Sequence, residues 1–217
     1  MKCPRCVRDV PYAVPACGEC GFSLDDQDDQ FGPDAVCLAR VTNAQETLSE
    51  DEIRELELAL DDFEKNFPQL FMGIYLAALP AISSVRQFAF WLLNRAAIPS
   101  LDITRPNENG CLLVIDLTSG QVVMVVGYLL ECYFKEAELE EILTHGRAAM
   151  DRGHIARGLL HIIQEFAHQL KRRSREAWRN PRKFDPGGPP EPSLPEFKRL
   201  HSPPQETAPQ PDPHFDP

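Results

Sequence analysis

Apolar residues recur at helical spacing beyond residue 50, where Ile53, Leu56, Leu60, Phe63 and Phe67 lie on one stripe. Ser49 stands at the head of this stripe as an N-cap, and Glu52 three residues later completes a capping box. Pro68 stops the helix, because proline has no N–H to continue it. The run 70–79, with Phe71, Ile74, Tyr75 and Leu76, is short, apolar and bounded by prolines, which predicts a buried strand. Ser84 then opens a second helix that carries Val85, Phe88, Ala89, Leu92 and Leu93 and ends before Pro99.

Asn107-Glu108-Asn109-Gly110 predicts a turn. Residues 111–117 and 121–126 each carry apolar side chains on both faces, so both faces are expected to be covered by helices. Thr118, Ser119 and Gly120 join them as a hairpin. Two more helices follow at about 136–151 and 154–173; Ile155, Leu159, Ile162, Phe166 and Leu170 form the apolar stripe of the last. The order αβαββαα predicts a three-layer α/β/α sandwich around a small mixed sheet.

The flanks read differently. Four of the seven cysteines form Cys-Pro-Arg-Cys at 3–6 and Cys-Gly-Glu-Cys at 17–20. Each pair sets two thiolates on one tight knuckle, and two knuckles supply the four sulfurs of a tetrahedral zinc site. Cys3, Cys6, Cys17 and Cys20 are therefore expected to hold a structural zinc in a ribbon over residues 1–24, a segment with too little apolar material to fold without metal. Asp25, Asp26, Asp28, Asp29 and Asp34 mark residues 25–46 as an acidic linker. The main domain is expected at 47–173. Twelve of the 20 prolines lie between Pro181 and Pro217, so 174–217 reads as a disordered, Pro-rich tail.

The net charge of −11 argues against a general nucleic-acid binder. The cluster Lys171, Arg172, Arg173, Arg175, Arg179, Arg182 and Lys183 reads as a solvated helix end. No continuous apolar stretch of about 20 residues predicts a membrane span. No apolar leader follows Met1, so the expectation is a soluble cytoplasmic protein with reduced cysteines.

The segment Asn107–Glu131, N-E-N-G-C-L-L-V-I-D-L-T-S-G-Q-V-V-M-V-V-G-Y-L-L-E, resembles the signature of the TPM-domain family, which includes the thylakoid acid-phosphatase-like protein and photosystem II repair factors. Leu48-Ser49-Glu50-Asp51-Glu52-Ile53, the Phe88-Ala89 and Leu92-Leu93-Asn94 positions, and Arg152-Gly153-His154 agree with it in order. The resemblance implies an acidic cleft at the strand ends that binds a divalent cation, Ca²⁺ or Mg²⁺. Its ligands would be Glu108, Glu131 and Glu136, hard oxygen donors of the kind these ions require. Leu129 and Cys132 replace two glycines of the family's loop. Ala96-Ala97-Ile98-Pro99 replaces its Trp-Gly-x-Gly.

Other chemistry is absent from the sequence. No Arg stands six positions after Cys111 or Cys132, as a thiol phosphatase needs, and there is no phosphate loop or nucleophile elbow. His154, His161 and His168 fall opposite the last helix's apolar stripe, a solvated face. Catalytic residues are not identified. Two functions stay open: a binding or assembly module with a protein partner, and a weak metal-dependent phosphatase acting on phosphomonoesters.

Overall fold

The computed structural model describes residues 2–11, 14–32, 36–79, 84–97 and 109–185. The chain divides into two compact units, Met1–Gly187 and Gly188–Pro217, and every described residue belongs to the first.

Within that unit the elements run α1 (Asp25–Phe31), β1 (Val36–Cys37), β2 (Val41–Asn43), α2 (Glu50–Asn66), β3 (Phe71–Ala77), α3 (Val85–Arg95), β4 (Ala96–Ala97), β5 (Gly110–Asp116), β6 (Gln121–Val126), α4 (Tyr128–Glu131), α5 (Glu136–Met150) and α6 (Ile155–Arg179). A 3-10 turn at Pro181–Phe184 follows. The main sheet has the order β2-β3-β5-β6, with the first three strands parallel and β6 antiparallel to β5.

The strand pleat sorts the side chains onto two faces. Val41, Ile74, Leu113 and Met124 lie in one cross-sheet row. They face the larger core with Leu56, Leu60 and Phe63 of α2, Ile142 of α5 and Leu159, Ile162 and Phe166 of α6. Leu112, Val114 and Val125 face the opposite way, toward Phe88, Ala89 and Leu92 of α3. Helices thus cover both faces, the expected three-layer sandwich. The α5–α6 crossing is close because it is lined by glycines: a Cβ on Gly146 or Gly158 would run into the other's carbonyl oxygen.

The end signals act as their chemistry predicts. Ser49 Oγ accepts from the Glu52 N–H at 3.4 Å while Glu52 Oε2 accepts from the Ser49 N–H at 2.9 Å. Asp116 closes β5. It is buried, and it accepts from the N–H groups of Leu79, Thr118 and Ser119 and from the Ser119 hydroxyl at 2.6 Å. Burial opposes its charge, but these donors outweigh burial and hold the carboxyl below its ordinary range.

Two boundaries differ from expectation. Residues 25–46 are not only linker: they contain α1, β1 and the sheet strand β2. Helix α1 docks on α3 because Asp28 Oδ1 accepts from the Trp91 indole N–H at 2.7 Å and Asp28 Oδ2 from Arg95 at 2.6 Å, while Phe31 packs against Phe88 and Trp91. The last helix also continues beyond residue 173, to Arg179. Its Arg173 lies over the Phe134 ring and bonds the Tyr133 carbonyl and Glu138, and Phe184 folds back, buried, against Tyr133. Residues 186–217 of the expected tail lie outside the described residues.

Candidate metal centre and the adjoining cleft

The two Cys-x-x-Cys segments form matching turns. The Val7 N–H donates to the Cys3 carbonyl and the Gly21 N–H to the Cys17 carbonyl, both closing one knuckle. The Cys3 N–H then bonds the Arg8 carbonyl, and the Cys17 N–H the Phe22 carbonyl. The residue after each second cysteine has a positive φ, +61° at Val7 and +70° at Gly21. Glycine adopts that conformation freely, whereas a β-branched valine is strained there.

These turns bring the four sulfurs together, all within 4.8 Å of one another. Cys3 and Cys20 Sγ are 3.6 Å apart, and Cys6 and Cys17 Sγ 3.7 Å. A zinc ion with four Zn–S bonds near 2.3 Å requires sulfur separations of about 3.8 Å, so these residues fit the metal. Backbone N–H groups of Cys20 and Glu19 hold the Cys17 thiol down at about 7, whereas the Cys3, Cys6 and Cys20 thiols lie above the ordinary thiol value, Cys3 chiefly through burial. Among the described residues no other group of His, Cys, Asp and Glu forms a comparable cluster. Cys111 is fully buried in β5 and burial pushes its thiol up, as suits a small core hydrophobe.

The cysteine segment rests on α3 and α4. Cys3, Val10, Cys17 and Phe22 share a buried cluster with Phe90 of α3. Phe22 and Phe90 meet edge to face at 5.8 Å, Arg5 lies over the Phe22 ring, and Arg5 Nε donates to Gln87 Oε1 at 3.4 Å. The Lys2 backbone N–H donates to both carboxylate oxygens of Glu131 at 3.0 Å.

Glu131 is therefore held against the cysteine segment. Burial pushes its carboxyl up, against the pull of the Lys2 N–H. Glu136 pairs with Arg86, whose Nη2 donates to Glu136 Oε2 at 2.7 Å. Glu131 and Glu136 do line one pocket of about 230 Å³, together with Lys2, Arg86, Tyr128 and Asp185. Glu108 lies outside the described residues. No cation was evident among these glutamates in the sequence, yet the fold brings Arg86 and Lys2 to them. The loop without the family's glycines winds into α4, and Cys132 takes an ordinary right-handed helical conformation. Ala96 and Ala97, in place of the family's Trp-Gly, form β4 and pair with β1.

The sequence reading missed Phe90. It lies apart from the cluster that α3 forms with the sheet, and it is buried against the cysteine segment. A helix that is apolar nearly all round has more than one partner, and that signal was present in Phe88-Ala89-Phe90-Trp91-Leu92-Leu93.

Among the described residues, no helix is long and apolar enough to cross a membrane. No curated protein matches the chain. Among solved structures, the BA42 protein from the psychrophilic bacterium Bizionia argentinensis superposes with a TM-score of 0.51 at 18% identity, covering 60% of this chain and 86% of that one. The N-terminal domain of a P. gingivalis protein gives a TM-score of 0.46 at 20% identity, over 60% of this chain and 81% of its own. The family model described as TPM domain matches residues 41–169, from the first strand of the main sheet through most of α6. That match spans more than half of the chain, which belongs to the TPM-domain family.

Proposed function

We propose that the protein is a binding or assembly module, a TPM domain carrying an N-terminal zinc ribbon, with a protein as its partner. The observation that carries this reading is the engagement, by the chain itself, of Glu131 and Glu136, the two described residues of the expected cation site. Glu131 accepts from the Lys2 N–H and Glu136 pairs with Arg86. A hydrolase needs a positioned nucleophile, or a metal-activated water with a base. A carboxylate engaged by protein donors is a poor start for a Ca²⁺ or Mg²⁺ site, which gathers six or more oxygen ligands. Four protein sulfurs complete the zinc tetrahedron and leave no open position, so the metal's role here is structural. Reduced, metal-ready cysteines suit the cytoplasm, the compartment we propose.

One observation favours the second reading, a weak metal-dependent phosphatase. Lys2 and Arg86 line the same pocket as Glu131 and Glu136, and such cations make strong charge-assisted hydrogen bonds to phosphate. Turnover of a phosphomonoester in millimolar Mg²⁺ separates the two. The module reading expects no turnover above the buffer rate from wild type or from Glu131→Ala. Metal-dependent hydrolysis by wild type that Glu131→Ala abolishes would replace it with the phosphatase.

A further inference from the structure

We propose that the cysteine segment is a removable cover on the TPM cleft, and that metal occupancy of Cys3, Cys6, Cys17 and Cys20 decides whether the cleft is covered. This rests on the module reading and supplies the regulation of that same site.

The geometry ties the cover to the knuckle. The group that caps Glu131 is the backbone N–H of Lys2, the residue directly before the ligand Cys3. The turn that closes on Cys3, through its carbonyl and its N–H, fixes where that donor points. The rest of the contact depends on the same turns. Phe22 follows Gly21 and meets Phe90; Arg5, inside the first knuckle, meets Gln87. Without metal the segment has little to hold these turns, since among the described residues its own buried side chains besides cysteines are Pro4, Val10 and Phe22. A site of this kind takes its folding energy from the metal.

The domain underneath does not depend on the cover in the same way. Phe88, Ala89, Leu92 and Leu93 anchor α3 to the sheet through a separate cluster. Leu130 anchors α4 in the core on the far face. Removing the cover therefore uncaps Glu131 and bares Phe90 and Gln87 while the sandwich persists. The exposed surface then offers a carboxylate acceptor beside an aromatic ring. It fits an extended peptide that presents a backbone N–H and an apolar side chain, the two features by which the cover itself binds.

Carbodiimide labelling of carboxyl groups, read by mass spectrometry on the full-length chain, tests this. With zinc bound, Glu131 is expected to label slowly. After zinc is stripped by a strong chelator, and equally in Cys17→Ser, its labelling should rise several-fold, while buried Asp116 stays unlabelled. Phe90→Ala keeps all four thiols and should raise Glu131 labelling with zinc still bound. Glu131 labelling that is the same with and without zinc overturns the proposal. Asp116 labelling that rises in parallel also overturns it, because the segment would then be a structural part of the domain and not a cover. The readout is protection of a carboxyl group, so hydrolytic activity, which decides the module reading, is scored separately.

Discussion

The cysteine segment and the TPM domain lie against each other yet are built on different principles. The domain has a two-faced core in which α2, α5 and α6 meet one side of the sheet and α3 the other. The segment has four sulfurs and a few apolar side chains, and it borrows Phe90 from the domain to complete its cluster. Removing apolar area from water holds the first together; in the zinc ribbon we propose, ligand geometry holds the second. A lesion in one should therefore leave the other largely in place, and their shared contacts should follow the metal.

The largest effect is expected from Cys17→Ser. A structural zinc site supplies on the order of 10–16 kcal/mol of folding energy. The variant should lose its zinc by metal analysis and expose residues 2–24 to proteolysis, while the thermal midpoint of the domain barely moves. The complementary lesion is Phe166→Ala. Phe166 is fully buried and stacks with Phe63 and Phe134. Its truncation should cost about 4 kcal/mol in urea unfolding and leave one zinc per chain. If either variant abolishes both zinc binding and the domain's transition, the two regions are one cooperative unit.

A smaller effect concerns α1, which lies between the two in sequence. The side-chain hydrogen bond from Arg95, helped by that of Trp91, holds the Asp28 carboxyl below its ordinary range. A lowered carboxyl contributes stability above its unfolded value, near pH 4, and that contribution is lost as pH falls through the folded value. Asp28→Asn should therefore lower the thermal midpoint slightly at pH 7 and make no difference at the acid end. An equal loss at both ends would mean the side chain acts by shape and not by charge.

Much of the domain was legible because its signals are local or periodic. The capping box of α2, the Ser84 cap of α3 and the Thr118-Ser119-Gly120 turn each depend on neighbours a few residues away. The short strand β2 was not legible, because three residues carry too little pattern; its register with Ile74–Leu76 is a tertiary fact. Helix α1 was read as linker because four of its seven residues are Asp, and its docking on Trp91 and Arg95 spans more than 60 residues. The cysteine cluster was visible from spacing alone. The occupant of Glu131 was not, because the Lys2 N–H that meets it is 129 residues away in the chain.

The central claim is that Glu131 and Glu136 are already engaged by the chain's own groups. A thermal melt of the zinc-loaded protein in millimolar Ca²⁺ or Mg²⁺ tests it most directly. A ligand that binds only the native state at 100 times its Kd adds about 2.7 kcal/mol of stability. The account predicts a midpoint that does not move with either ion, in wild type or in Glu131→Ala. A rise of several degrees in wild type, abolished by Glu131→Ala, would contradict it.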